Sequence, residues 1–308
     1  MKKQSELLDE LKTITTEGQN QDTLDIDLLN TVGVLEKINN EDQKVAGVVK
    51  AIIPNIAKAV DKIVDAFARG GRLIYIGAGT SGRLGVLDAV ECPPTFSVSE
   101  NQVLGIIAGG DKAIKKAVEG AEDNELFAIE DLKAAKLTSN DVLVGIAASG
   151  RTPYVLSAMN YGKSVGATVV GLSCSYNEKF EQANNINLCA VVGAEALSGS
   201  TRLKSGTAQK LILNMLTTAS MIRSGKVYQN LMIDVRASNE KLYARSVRIV
   251  MQATNCSYQC AKNALAEADN NTKLATLMLL TGLELEVAKT SLLDNKGFLR
   301  KAVGQVNP

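Results

Sequence analysis

The chain has 308 residues, of which 45% are hydrophobic and 4% aromatic, and its formal net charge is +1. This length and apolar content suit an α/β protein with a large core and exclude a disordered chain. The small net charge gives no electrostatic reason to expect nucleic acid or an acidic membrane as a partner, and no apolar run approaches the roughly 20 residues of a membrane span.

The N-terminal region is polar with partly helical spacing, and helical periodicity continues to Phe67 with a break expected at Pro54. From residue 73 onward, short apolar runs alternate with helical segments, which predicts a doubly wound parallel sheet. The predicted strands are residues 73–76, 103–107, 141–146, 169–173 and 186–192, and the predicted helices include residues 84–90, 113–129, 154–165 and 208–222.

The last part of the sequence is helical in pattern, with expected breaks at residues 255–257, 269–271 and 281–282. Its later part has the pattern of a small three-helix unit. We therefore predict three parts, which are an N-terminal helical segment over residues 1–55, an α/β domain over 56–240 and a helical C-terminal domain over 241–308.

A glycine-rich turn, residues 77–82, follows the first predicted strand and opens a helix. A strand, a glycine turn and a helix N-terminus together form a site for an anion, most often phosphate, and Thr80 and Ser81 add hydroxyl groups. The turn also matches the dinucleotide pattern Gly-x-Gly-x-x-Gly, but the nearest acidic residue after the second strand, Asp111, lies further along than that pattern requires. A phosphate monoester is the favoured ligand over NAD, and a turn that serves packing alone is the plainest alternative.

A second hydroxyl-bearing loop contains Ser149 and Thr152 and follows another predicted strand. Because the carboxyl ends of parallel strands share one edge of a sheet, a single phosphosugar could contact both loops. Residues 199–210 add hydroxyls and positive charge, including Ser200 and Lys204. The alternative, that this segment is the solvent-exposed, basic first turn of a helix with no role in binding, explains it nearly as well.

The sequence has no histidine and five scattered cysteines. The lack of histidine excludes Ser-His-Asp and Cys-His catalysis and histidine-ligated metals, so acid–base chemistry must come from other side chains. Glu91 and Glu122 are candidates, although by spacing alone they do not stand out from surface charges. The odd number of cysteines and the absence of an apolar segment behind the N-terminal charges predict a cytoplasmic protein.

Several long motifs, in order, resemble the N-acetylmuramic acid 6-phosphate etherases. They are residues 77–85, 91–96, 119–123, 145–155, 199–210, 225–232 and 239–242, with further matches at 16–20 and 38–42. The match covers nearly the whole chain, and it departs at Val90 and Ser97, where a small residue and a glycine are expected. The resemblance implies a sugar isomerase (SIS) domain, which is a flavodoxin-like α/β sandwich, followed by a helical part similar to ubiquitin-associated domains. It also implies a homodimer with its active site near the subunit interface.

The activity that the resemblance implies is cleavage of the D-lactyl ether of N-acetylmuramic acid 6-phosphate, giving N-acetylglucosamine 6-phosphate and D-lactate. This reaction belongs to the recycling or scavenging of cell-wall sugars and uses no metal or cofactor. By resemblance, Glu91 is the acid that protonates the departing lactate and later helps to activate water, and Glu122 is the base that removes the C2 proton. The 6-phosphate ligands implied are Thr80, Ser81, Ser149 and Thr152.

The chemistry fits this residue inventory. Opening the sugar to its aldehyde acidifies the C2 proton, so a base can remove it while an acid protonates the leaving oxygen at C3, and water then adds back. Glu91 must hold its proton at neutral pH, which partial burial could supply. Two other classes stay open, a phosphosugar isomerase and a non-catalytic phosphosugar sensor resembling the glucokinase regulatory protein. The presence of both Glu91 and Glu122 favours the enzyme. The glucokinase regulatory protein also carries two SIS modules in a much longer chain, whereas this sequence shows one.

Overall fold

The structure is a computed structural model that describes residues 14–235 and 240–306. These residues form two compact units. The first comprises residues 14–90 and 101–217, and the second comprises residues 91–100 and the described residues from 218 onward. The three-part division expected from the sequence stays a prediction.

The helices are, in chain order, α1 Thr31–Ala51, α2 Ile53–Ala68, α3 Gly79–Val90, α4 Cys92–Phe96, α5 Asp111–Lys115, α6 Glu125–Ala134, α7 Pro153–Val165, α8 Glu178–Gln182, α9 Lys204–Arg223, α10 Glu240–Thr254, α11 Tyr258–Glu267, α12 Thr272–Thr281, α13 Leu285–Asp294 and α14 Leu299–Val306. The strands are β1 Leu73–Gly77, β2 Val103–Ile107, β3 Val142–Ile146, β4 Thr168–Ser173, β5 Ile186–Cys189, β6 Val227–Tyr228 and β7 Leu231–Met232. None of these helices is long and apolar enough to cross a bilayer.

A five-stranded parallel sheet forms the centre of the first unit, in the order β2-β1-β3-β4-β5. Leu73 of β1 lies opposite Val103 on one side and Val142 on the other. Every residue of β1 and β3 is buried, which is why both strands read as continuous apolar runs in the sequence. The predicted doubly wound α/β sheet is confirmed, and its strand order is the flavodoxin-like one.

The helices after β1 and β3 leave these neighbouring strands in opposite directions across the sheet. Helix α3 leads from β1 to β2 and packs on both, whereas α7 leads from β3 to β4 and packs on those two strands. Because such crossovers are right-handed, the two helices lie on opposite faces of the sheet. In open α/β sheets, ligands bind outside the carboxyl ends of the strands at such a point of divergence, which here lies between β1 and β3.

One predicted helix is wrong. Residues 113–129 do not form a single helix, because α5 ends at Lys115 and α6 begins only at Glu125. Gly120 has a left-handed φ of 71°, which ends regular structure there, and a 3₁₀ turn, Ala121–Asp123, follows it. The Asn124 side chain then accepts hydrogen bonds from the backbone N–H groups of Leu126 and Phe127 and starts α6.

The second unit contains the antiparallel β6–β7 hairpin and helices α10 to α14 around one apolar core. The three predicted breaks fall between these helices. A further break at Gly297, with φ of 78°, separates α13 from α14, so α12, α13 and α14 form the later part, and α10 and α11 precede it. Ser97, which stands where a glycine is expected, has φ of 51° at the end of α4. Glycine adopts this left-handed backbone without strain.

Candidate active site

The turn between β1 and α3 is tight because two glycines face each other. A Cβ atom added to Gly82 would lie 2.7 Å from the carbonyl oxygen of Gly77, so neither position accepts a side chain without backbone movement. Gly79 has a left-handed φ of 53° and begins α3. Thr80 and Ser81 therefore sit in the first turn of α3, where backbone N–H groups lack intrahelical partners and favour an anion.

A second hydroxyl-bearing loop leaves the end of β3, the strand next to β1. Ser149 Oγ accepts a hydrogen bond from the backbone N–H of Arg151 at 3.2 Å, and Gly150 is left-handed with φ of 66°. Thr152 occupies the N-cap of α7, but its side chain makes no capping hydrogen bond. Its hydroxyl is therefore available to a ligand, at a second helix N-terminus beside the first.

The start of α9 packs beside the β1–α3 turn, since a Cβ added to Gly206 would lie 3.7 Å from Thr80 Cγ2. The buried carboxylate of Glu195 caps this helix. It accepts hydrogen bonds from the backbone N–H groups of Lys204 at 2.8 Å and Ser205 at 2.9 Å, and from Ser205 Oγ at 2.8 Å. The N-terminus of α9 is thus already occupied by a protein carboxylate. Ser200 is half-buried in the turn before it.

The ammonium group of Lys204 is buried and paired inside the protein. Its partner is Glu41 of α1, and each of the two side chains is 3% exposed. Lys44 also donates to Glu41, at 2.5 Å. Burial alone raises the pKa of Glu41, but hydrogen bonds from Lys204, Lys44 and Asn20 outweigh it and lower the pKa to about 2. The charge of Lys204 is therefore committed to Glu41 in this structure.

Ser81 is held by Gln209, a buried residue of α9. Ser81 Oγ donates to Gln209 Oε1 at 3.0 Å, and the Gln209 side chain is 1% exposed. To bind a phosphate, which only accepts hydrogen bonds, the Ser81 hydroxyl would turn away from Gln209. By contrast, Thr152 needs no such change.

A buried polar contact fixes the far end of α3. Asp88 accepts hydrogen bonds from the Tyr75 hydroxyl at 2.9 Å and from Thr217 Oγ1 at 3.2 Å. Burial raises the pKa of Asp88, and the hydrogen bonds from Tyr75 and Thr217 and the charge of Lys210 offset only part of that rise. This contact joins β1, α3 and α9 behind the phosphate turn.

Glu122 lies in the 3₁₀ turn Ala121–Asp123, which packs against α7. Its neighbour Ala121 contacts the apolar cluster that includes Tyr154 of α7 and Ala147 at the end of β3. The Glu122 side chain itself is exposed. The first unit therefore holds the turn that carries Glu122 against α7, the helix whose N-cap is Thr152, and leaves the Glu122 carboxylate exposed.

Glu91 belongs to the second unit, and it directly follows the last residue of α3, Val90. It is the N-cap of the short helix α4 and makes no capping hydrogen bond. Its side chain is exposed, so the partial burial expected from the sequence is not found in this structure. Pro93 follows within the first turn of α4 and fixes the backbone there.

Comparison with known proteins gives matches over nearly the whole chain. A family model described as the glucokinase regulatory protein N-terminal SIS domain matches residues 55–163, a SIS domain model matches residues 117–219, and a model of the C-terminal lid domain of glucokinase regulatory protein matches residues 229–273. The N-acetylmuramic acid 6-phosphate etherase of Colwellia psychrerythraea is 70% identical over 305 residues, which is 99% of each chain.

The chain belongs to the N-acetylmuramic acid 6-phosphate etherase family. The etherase of Vibrio atlanticus is also similar, with 61% identity over 96% of this chain and 97% of that one. Among solved structures, a phosphoheptose isomerase from Francisella tularensis covers 61% of this chain and 98% of its own, with 19% identity and a TM-score of 0.46. The family and the SIS domain inferred from the sequence motifs are confirmed.

Proposed function

We propose that this protein cleaves the lactyl ether of N-acetylmuramic acid 6-phosphate and releases N-acetylglucosamine 6-phosphate and D-lactate. The observation that carries the proposal is 70% identity over 99% of the chain to a protein named as that etherase. We further propose that the protein acts as a cytoplasmic homodimer in the use of cell-wall amino sugars. The site in the first unit supports a phosphosugar ligand, because two hydroxyl-bearing helix N-termini meet at the carboxyl edge of adjacent strands.

The 6-phosphate is bound at the start of α7, by Ser149 and Thr152, and at the start of α3, by Thr80 and Ser81. Helix N-termini attract the phosphate dianion, and hydroxyl donors add directional bonds. Ser200 completes the set as a hydroxyl in the turn before α9. Lys204 acts indirectly, because its pairing with Glu41 fixes the start of that helix.

Loss of either hydroxyl in the β3–α7 loop should weaken substrate binding. We expect Ser149→Ala and Thr152→Val each to raise KM by roughly 10- to 100-fold with a smaller change in kcat, because a hydrogen bond to a charged group contributes about 1.5–3 kcal/mol. Steady-state kinetics measures this. Ser164→Ala, at the other end of α7, is the matched control. Unchanged KM in both loop variants would place the phosphate elsewhere.

Glu122 removes the C2 proton of the open-chain sugar, and Glu91 protonates the lactate oxygen as the bond from C3 to oxygen breaks. The electron pair of the C2–H bond forms the C2–C3 double bond, and the pair of the C3–O bond leaves with lactate. Glu91 then helps water to add at C3, and a proton returns to C2. General acid–base catalysis of this kind typically contributes 10²–10⁴-fold. Both carboxylates are exposed.

A second candidate function is a phosphosugar sensor without catalysis, which the two family models described for glucokinase regulatory protein favour. Release of D-lactate from N-acetylmuramic acid 6-phosphate, followed with D-lactate dehydrogenase, separates the two. The enzyme gives stoichiometric lactate and N-acetylglucosamine 6-phosphate. Tight binding of the phosphosugar without any lactate would instead establish the sensor.

A further inference from the structure

Gln209 of α9 is a buried polar residue to which the proposed reaction assigns no role. Its side chain is 1% exposed, and its oxygen Oε1 accepts a hydrogen bond from Ser81 Oγ at 3.0 Å. Its nitrogen Nε2 is also buried and has no hydrogen-bond partner among the described residues. A buried donor without a partner costs free energy, so its presence beside the β1–α3 turn needs an explanation.

The amide of a glutamine has two ends of the same shape and of opposite hydrogen-bonding character. Oε1 only accepts, Nε2 only donates, and the terminal torsion is roughly two-fold, so a half-turn exchanges the two ends. A serine hydroxyl both donates and accepts. Ser81 and Gln209 can therefore be hydrogen-bonded in either direction. Each direction leaves one end of the amide unpaired, so a ligand at Ser81 can decide between them.

The surrounding contacts hold Gln209 and Ser81 in place while the amide turns. The start of α9 is fixed by the carboxylate of Glu195, which accepts from the backbone N–H groups of Lys204 and Ser205. Ser81 is 9% exposed and lies in the first turn of α3, where backbone N–H groups favour an anion. Ser81 thus contacts Gln209 and, under the proposed function, also the phosphate.

We propose that Gln209 is a positioning residue for the 6-phosphate and that its side-chain amide turns over when the phosphate binds. In the free protein, Ser81 donates to Oε1. In the complex, Nε2 donates to Ser81 Oγ, and the hydroxyl proton of Ser81 goes to a phosphate oxygen. The bond between the two side chains is kept in both states, so Ser81 loses no partner when it serves the phosphate. This inference rests on the proposed phosphate role of Ser81.

The NMR signals of the Gln209 side-chain amide report the turn directly. In full-length protein with nitrogen-15 glutamine, these signals are assigned by their loss in Gln209→Met. N-acetylglucosamine 6-phosphate should move one NH₂ proton signal downfield, because Nε2 gains an acceptor, whereas unphosphorylated N-acetylglucosamine should not. An unchanged amide signal at saturating phosphosugar, or the same shift in Ser81→Ala, would overturn the proposal.

Gln209→Glu replaces the amide that turns with a group of the same shape that only accepts when ionised. Its carboxylate keeps the Ser81 proton, so the Kd of N-acetylglucosamine 6-phosphate should rise by roughly 10- to 100-fold, the contribution of a hydrogen bond to a charged group. Lowering the pH should shrink the ratio to wild type measured at the same pH, because a protonated carboxyl regains a donor. Gln209→Met loses the bond in both states and should raise Kd much less.

Isothermal titration calorimetry measures these Kd values. Gln43→Glu is the matched control, because Gln43 is an exposed glutamine of the first unit. In the Ser81→Ala background, Gln209→Glu should raise Kd by a smaller factor. An equal factor with and without the Ser81 hydroxyl would reduce the effect to charge repulsion and would overturn the proposal. Binding is measured without turnover, so a failure to release lactate would count against the proposed etherase activity and not against this inference.

Discussion

Replacing Glu122 with glutamine is expected to lower the rate of D-lactate release by about 10²–10⁴-fold and to leave substrate binding nearly intact. Glutamine has the same shape but cannot accept the C2 proton, and the exposed side chain in the turn Ala121–Asp123 makes a folding defect unexpected. Glu125→Gln, at the start of α6, is the matched control because it removes a nearby exposed carboxylate. Turnover and the Kd of the phosphosugar are measured together.

Exchange of the C2 proton with deuterium oxide, followed by NMR, separates the roles of the two carboxylates. Glu122→Gln should lose exchange. Glu91→Ala should keep exchange while lactate release falls, because the base still works when the acid is missing. If Glu91→Ala loses exchange but still releases lactate, the assignment of acid and base is wrong.

Replacing Glu41 with glutamine is expected to destabilise the first unit by about 3–5 kcal/mol, because the buried ammonium of Lys204 loses its counter-charge. For a domain of this size, the thermal midpoint should fall by roughly 10 °C. Glu36→Gln is the matched control, since Glu36 is an exposed carboxylate on the same helix, α1. Differential scanning calorimetry measures both variants, and equal midpoints would contradict the account.

The same pair predicts a pH dependence. The pKa of Glu41 is about 2 in the folded protein and 4.5 as its ordinary value, so its ionised form stabilises the fold. That contribution is complete above pH about 4.5 and is lost as pH falls toward 2. Wild-type protein should therefore lose stability over this range more steeply than Glu41→Gln. Replacing both partners, Glu41→Leu with Lys204→Met, should recover much of the loss, because no buried charge then stays unpaired.

The sheet could be predicted from the sequence because its strands are buried on both faces and read as short apolar runs between helices. The predicted helix over residues 113–129 failed for a different reason. Helical spacing of apolar residues persists across that segment, but the left-handed φ of Gly120 and the cap formed by Asn124 override it. The backbone conformation of Gly120 and the cap at Asn124 therefore interrupt the helix, and the periodicity of apolar residues alone does not predict this interruption.

The candidate site was predictable where its residues lie in loops next to strands. Ser149 and Thr152 follow β3, and Thr80 and Ser81 follow β1, so strand adjacency brings them to one edge. The residues that support the site carry no such signal. Glu41 reaches Lys204 across 163 positions of sequence, and Glu195 caps α9 from a loop outside the helix. Only the folded chain shows that the charge of Lys204 is already neutralised.

We propose that the ether is cleaved by elimination of lactate followed by addition of water at C3. Incubation of the protein with N-acetylmuramic acid 6-phosphate in oxygen-18 water, followed by mass spectrometry of both products, tests it directly. We predict unlabelled D-lactate and an oxygen-18 atom at C3 of the N-acetylglucosamine 6-phosphate. Oxygen-18 in the lactate, with an unlabelled C3 hydroxyl, would mean that the other C–O bond of the ether is cut and would contradict the account.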